Sequence, residues 1–85
     1  MNFKSDESFQ AFVQSLQLSQ LSVSEASTKL ASKGFVCGPS VRSQTASQVT
    51  CIKGLTGQQQ SVELSPSPND PSKSTVVASL LFVQA

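Results

Sequence analysis

The spacing of the apolar residues changes at Gly34, and this change predicts the fold class. Before Gly34 the apolar residues recur every three or four positions, as in a helix with one buried face. After Gly34 they alternate with polar residues among β-branched residues and turn formers, as in strands. We therefore predict a single small α+β domain over residues 1–85, with two N-terminal helices packed on a small antiparallel sheet of three to four strands.

Two helices are predicted, over about residues 6–18 and 22–33. Ser5 is the expected N-cap of the first, because a serine hydroxyl accepts a hydrogen bond from the exposed backbone N–H groups of a first turn. The apolar residues of the first helix lie at positions i, i+3, i+4 and i+7 and form one face: Phe9, Phe12, Val13 and Leu16.

Both ends of the second helix carry a signal. Ser22 and Glu25 have the spacing of a capping box, although Ser24 is an alternative N-cap. Gly34 suits the left-handed position that follows a helix, and Phe35 can fold back on the last turn as in a Schellman motif.

The strands are predicted from alternation and turn residues. Gly38 and the following Pro39 are expected to end the first strand, and residues 54–57 are expected to form the loop of a hairpin. The predicted strands cover about residues 35–37, 47–53, 59–65 and 75–84.

The last strand is apolar on both faces. Phe82 is expected in the core, together with Val76, Ala78 and Leu80, whereas Val77, Leu81 and Val83 face the other way and are candidate partner-binding residues. Their cover is the first helix, a second copy of the chain or a different protein, unless the strand is central and covered within the monomer.

Residues 65–74 form a Pro- and Ser-rich segment without apolar residues, which predicts a long exposed loop. Loops carry binding residues more often than the elements they connect. Ser67, Asn69 and Asp70 in this loop are therefore a second set of candidate partner-binding residues.

The chain has two cysteines, Cys37 and Cys51, both in predicted strands and fourteen positions apart. This layout favours a cross-strand disulfide that closes one hairpin. The alternatives are two buried reduced thiols or, less in keeping with the sequence, a reactive thiol. Zinc is disfavoured because no histidine or nearby carboxylate completes a ligand set, so no metal site is expected.

Charge and composition exclude several classes of partner. The net charge is +1 and the six basic residues are spread along the chain, so no nucleic-acid surface is expected. The longest apolar run, residues 75–83, has about half the ~20 residues that a membrane helix needs. We therefore predict no membrane span. No targeting segment is visible at the start of the chain.

Catalytic groups are scarce. The chain has no histidine. Asp6 and Glu7 are adjacent at the start of the first helix and diverge around it, and the other three carboxylates lie on a helix cap, a strand and a loop, so no pair for acid–base catalysis is expected. No glycine-rich turn precedes a helix in the manner of a phosphate-binding loop. We therefore predict a protein that is not an enzyme and binds no cofactor.

The order of two helices and a small sheet, with residues 21–26 entering the second helix and Gly34–Phe35 leaving it, resembles the SmpA/OmlA type of small envelope domain. This family includes a lipoprotein of the outer-membrane assembly machinery. The resemblance implies two helices on a sheet and an exported, non-catalytic protein that works by contact. It implies no functional residue here, and the acylated cysteine of the lipoproteins is absent.

Together these observations predict a non-catalytic protein-binding domain of the bacterial envelope or secreted space, stapled by one disulfide. It would be periplasmic or secreted, as a mature form that carries an added Met1. The alternative is a cytoplasmic inhibitor or immunity-type protein with reduced cysteines that blocks a partner enzyme. A homodimer through the last strand is a third hypothesis.

Overall fold

The computed structural model describes residues 4–39 and 48–82, and it has the predicted α+β architecture. Two helices lie before a four-stranded antiparallel sheet with strand order β1-β2-β3-β4. The elements are α1 (Asp6–Ser15), a 3₁₀ helix (Leu18–Gln20), α2 (Val23–Ser32), β1 (Val36–Pro39), β2 (Val49–Leu55), β3 (Gln58–Pro66) and β4 (Ser74–Phe82).

The first helix ends at Ser15, so its predicted extension to residue 18 is wrong. Gln17 has the left-handed conformation (φ 55°), and the 3₁₀ helix starts after it. In a continuous helix Leu16 and Leu18 would lie about 200° apart around the axis. Because of the break both side chains are buried in the core. The carbonyl oxygen of Leu16 accepts a hydrogen bond from Nζ of Lys29 on α2 (2.9 Å).

Both predicted signals at the ends of α2 are present. The hydroxyl of Ser22 accepts a hydrogen bond from the backbone N–H of Glu25 (3.2 Å), whose carboxylate accepts one from the Ser22 N–H (3.3 Å). At the other end Gly34 has φ +96°, and the N–H of Phe35 donates to the carbonyl of Leu30 (3.2 Å). These bonds satisfy backbone groups that a helix end leaves without partners.

Ser22 rather than Ser24 caps α2, and the two serines give a matched test. We expect Ser22→Ala to lower the free energy of unfolding by about 1 kcal/mol, because the N–H of Glu25 loses its acceptor. Ser24→Ala should change it by less than about 0.5 kcal/mol, because this exposed side chain caps nothing. Urea unfolding measures both, and equal losses in the two variants would contradict the assignment.

Several strand ends differ from the prediction: β2 covers Val49–Leu55 rather than residues 47–53, and β3 and β4 each begin one residue earlier than predicted. β1 continues through Gly38 and Pro39, which was expected to lie beyond its end, and Pro39 lies opposite Val49. A proline is tolerated there because, among the strands that the structure describes, β1 lies at the edge of the sheet and pairs with β2 alone. The hairpin between β2 and β3 turns at Thr56–Gly57 alone, with φ +78° at Gly57, so the predicted four-residue loop is wrong. Glycine adopts this positive φ without steric cost, which suits it to the second position of the turn.

The helices cover one face of the sheet, which we call the inner face. α1 and the 3₁₀ helix lie against β4, and α2 lies over β1, β2 and β3. Along β3 the burial alternates as predicted, with Val62 and Leu64 fully buried. Two glutamines of the same strand are also buried, and Nε2 of Gln60 donates to Oε1 of Gln58 (2.8 Å). The core consists of Phe9, Val13, Leu16, Leu18, Ala26, Leu30, Phe35, Cys51, Val62 and Leu64.

Candidate protein interface

The face of the sheet opposite the helices, which we call the outer face, is the candidate interface. The strand register determines its members. Cys37, Cys51, Val62 and Ala78 lie opposite one another in one row and belong to the inner face, so the residues beside them point outward. The side chains of the outer face are Val36, Thr50, Ile52, Gln59, Ser61, Glu63, Ser65, Thr75, Val77, Ser79 and Leu81.

Two of the predicted partner-binding residues lie on this face and are exposed. Val77 is 57% and Leu81 is 59% exposed. They are four residues apart on β4, which places them about 13 Å apart along the strand. β4 is an edge strand, so the alternative of a central strand covered on both faces is wrong. Val83, the third residue predicted here, lies outside the described residues.

Phe82 was expected in the core, and this expectation is wrong because its side chain is 55% exposed. It lies on the inner face, opposite Gln58, as the alternation predicted. It is, however, the last described residue of an edge strand and has a neighbouring strand on one side only. Phe82 therefore adds to the exposed apolar surface of β4 at the end near Leu81.

A second apolar pair on the outer face was missed by the sequence reasoning. Val36 on β1 lies directly opposite Ile52 on β2; Val36 is 77% exposed and Ile52 is also exposed. The positions of the two cysteines could have predicted this pair. A disulfide between Cys37 and Cys51 places these residues opposite each other, so their neighbours Val36 and Ile52 must meet on the other face.

The middle of the outer face is polar. Glu63 on β3 is half-buried between Thr50 on β2 and Val77 on β4. Within the described part of the chain it is the one charged side chain on this face. The face therefore presents two apolar pairs, Val36–Ile52 and Val77–Leu81, on either side of a single carboxylate.

The loop between β3 and β4 is closed by its own hydrogen bonds. The N–H of Ser67 donates to the carbonyl of Lys73 (3.0 Å), and the N–H of Asp70 donates to the carbonyl of Ser67 (3.3 Å). Of the three predicted loop residues, Asn69 is exposed, whereas Ser67 and Asp70 are half-buried. Asn69 is thus the most accessible of the three to a partner.

The carboxylate of Asp70 is already bound within the loop. The hydroxyl and the backbone N–H of Ser72 donate to its Oδ1 (2.6 and 3.0 Å), and these bonds, aided by the charge of Lys73, lower the pKa of Asp70 below its usual value. Because the pKa is lower in the folded protein, the carboxylate stabilises the loop above the unfolded pKa. This stabilisation is lost as the pH falls through the folded pKa.

The predicted disulfide joins Cys37 and Cys51, and the chain has no free cysteine. Their Cα atoms are 4.0 Å apart on directly opposite residues of β1 and β2. Cys51 is fully buried, and the sulfur of Cys37 lies 3.5 Å from the carbonyl oxygen of Ser27 on α2. The disulfide is therefore part of the inner face and connects an edge strand to the core.

No helix in the described ranges combines the length and the apolar character that crossing a membrane requires. Among residues 4–39 and 48–82, no three His, Cys, Asp or Glu side chains gather where they could hold a metal ion.

Comparison of the chain with protein-family models, with curated proteins and with solved structures returned no match. The resemblance to the SmpA/OmlA type stays a prediction.

Proposed function

We propose that this chain is a non-catalytic domain that binds another protein through the outer face of its sheet, in the periplasm or the secreted space. The observation that carries the proposal is the exposure of Val77 and Leu81 on a face that has one charge among its described residues. Interface cores are depleted in charged residues, and the outer face has this composition.

The disulfide supports the choice of compartment. Disulfides form and persist in oxidising environments and are rare in the cytosol. The rival hypothesis of a cytoplasmic inhibitor requires reduced cysteines, whereas Cys37 and Cys51 are bonded. The same setting agrees with the envelope role that the family resemblance implies.

The position of Glu63 favours a different protein over a second copy as the partner. A symmetric contact centred on β3 would bring two Glu63 carboxylates close together, and like charges that face each other are unfavourable. A partner with an aliphatic surface and one Lys or Arg side chain would complement both the apolar pairs and the carboxylate.

The test is photo-crosslinking in the native host, with a benzophenone amino acid in place of Val77. We expect one discrete adduct with another protein, and we expect Leu81→Asp in the same chain to reduce it at least tenfold, since the new charge would be desolvated at the interface. Leu81 suits this change because it is exposed and lies opposite the neutral Gln59. Ala11→Asp, an equal charge on an exposed position of α1, should leave the adduct unchanged.

The redox state of the two cysteines reports the compartment in the same sample, if free thiols are alkylated before lysis and no reductant is added. Two unmodified cysteines by intact mass are expected, and two alkylated ones would overturn the exported setting. An adduct that survives Leu81→Asp in a chain with unchanged circular dichroism would show that the outer face is not the interface. An adduct of twice the chain mass would identify a homodimer instead.

A further inference from the structure

The free edge of β4 presents backbone hydrogen-bonding groups to solvent, and the strand register shows which ones. Antiparallel neighbours alternate between pairs that exchange two hydrogen bonds and closer pairs, about 4.5 Å between Cα atoms, that exchange none. Cys37 and Cys51, at 4.0 Å, form a close pair. Cys51 therefore bonds to Val62 on its other side, and Val62 in turn leaves Ala78 without bonds from β3. The N–H and carbonyl of Ala78 point to the free edge.

A side chain confirms this direction. Nε2 of Gln10 on α1 donates to the carbonyl oxygen of Ala78 (2.6 Å). Because backbone direction alternates along a strand, Val76 and Leu80 direct their own N–H and carbonyl groups to the same edge. Within residues 4–39 and 48–82, no donor or acceptor contacts these groups of Val76 and Leu80. The edge thus has free donors and acceptors on both sides of Ala78.

A groove of about 470 Å³ runs along this edge, between β4 and the segment of α1 and the 3₁₀ helix. One wall has three glutamines at positions i, i+4 and i+7: Gln10, Gln14 and Gln17. The other wall is β4. It includes inner-face residues such as Val76 and also Thr75 of the outer face, so the groove lies along the edge of the strand and not on one face alone. The lining contains no ionisable side chain.

We propose that this groove binds an extended, uncharged peptide segment of another protein, which adds to the sheet as a fifth strand beside β4. Main-chain hydrogen bonds to an exposed sheet edge are an established mode of peptide recognition. The chemistry fits this occupant: the strand offers backbone groups, the amides of Gln14 and Gln17 can both donate to and accept from a peptide backbone, and no charge in the groove would select a charged segment.

A second copy of the chain fits the edge less well. Pairing β4 with β4 of another copy would bring a second α1 to the same seam, where the first α1 already reaches the edge through Gln10. A single extended segment needs only the width of one strand, about 4.8 Å.

Gln10 protects the edge in the unbound protein. Natural sheets cover or blunt free edges to avoid unwanted pairing, and the Gln10 amide satisfies the edge carbonyl of Ala78. The N–H of an added strand would take its place on the Ala78 carbonyl. Removing the amide should therefore help the peptide and not hinder it.

This site shares the protein-binding character of the proposed function but uses a different surface, so the two can fail separately. The probe is a synthetic decapeptide selected from a displayed random library on the full-length, oxidised chain, and the readouts are its dissociation constant and amide hydrogen exchange. We expect an enriched peptide without charged residues that slows exchange of the Val76 and Leu80 N–H groups.

Val76→Pro and Val76→Ala form the matched pair. Proline removes the outward N–H without taking a bond from the β3–β4 ladder, so it should weaken peptide binding roughly tenfold or more, whereas alanine keeps the N–H and should weaken it less than about threefold. Gln10→Ala should strengthen binding roughly two- to tenfold, which keeps the proposal testable if Val76→Pro does not fold.

Equal binding to the proline and alanine variants, weaker binding to Gln10→Ala, or no enriched peptide would each overturn the proposal. A peptide that is lost on Leu81→Asp and retained on Val76→Pro would occupy the outer face, which would overturn the groove site and leave the proposed function intact. If the crosslinked adduct at position 77 persists in Val76→Ala and no peptide binds, the groove site is likewise overturned and the proposed function stands.

Discussion

Replacing both Cys37 and Cys51 by alanine should lower the free energy of unfolding by about 3 kcal/mol, the amount expected for a disulfide that closes a loop of about 15 residues. The covalent bond restricts the unfolded chain, and in the folded protein it connects β1, a four-residue edge strand, to the fully buried Cys51. In a domain of 85 residues this is a large share of the total stability.

Urea unfolding with and without a thiol reductant measures the effect. The reductant should lower the midpoint of the unmodified protein and leave that of the double alanine variant unchanged. Thermal unfolding should move in step, by roughly 4–8 °C for each kcal/mol. Alanine is preferred to serine because Cys51 is fully buried, and a hydroxyl there would add a desolvation cost. Equal midpoints with and without reductant would show that the disulfide contributes little.

The helices could be predicted from the sequence because their signals are local. The spacing of Ser22 and Glu25 and the glycine at position 34 act within one turn of the helix that they bound. The end of α1 could not be predicted in the same way. Leu16 and Leu18 are both buried in the core, which a continuous helix would not allow. The break at Gln17 therefore depends on the position of the core, which is set by distant parts of the chain.

The strands show the same division between local and distant causes. Alternation correctly predicted that Val77 and Leu81 share a face and that Phe82 lies on the other. It did not predict the exposure of Phe82, because alternation gives the direction of a side chain but not whether a helix covers it at that end of the strand. Pro39 was expected to end the first strand because proline is excluded from central strands. Edge strands tolerate it, but the position of a strand in the sheet depends on the strand order, which is not a local property.

The candidate site follows this pattern. Its β4 half was visible in the sequence, whereas the Val36–Ile52 pair required the register that the disulfide imposes. The groove was not foreseen, because Gln10 and Ala78 are 68 positions apart and meet only in the folded chain.

The two proposed surfaces belong to one strand but use different groups. The outer face offers the side chains of Val77 and Leu81, and the edge offers the backbone of Val76 and Leu80. A variant of one set leaves the other chemically intact, which is why Leu81→Asp and Val76→Pro separate the two proposals. A partner that contacts both surfaces would lose binding with either variant.

Phe9→Ala and Phe82→Ala should differ in their effect more than any other pair of phenylalanine substitutions among the described residues. Phe9 has no exposed surface and lies in the core formed by α1 and the sheet, so its removal leaves a cavity and should lower the free energy of unfolding by about 3–5 kcal/mol. Phe82 is 55% exposed, and its removal should cost less than about 1.5 kcal/mol.

The contrast between these two substitutions tests the layer structure directly. A domain of this size has a stability on the order of 5–10 kcal/mol, so Phe9→Ala should remove roughly half of it and move the urea midpoint far below that of the unmodified protein. Phe82→Ala should unfold close to the unmodified protein. Similar losses of unfolding free energy in the two variants would mean that the Phe82 side chain is covered. The end of the sheet near Leu81 would then be buried, which contradicts the exposed surface that we assign to a partner.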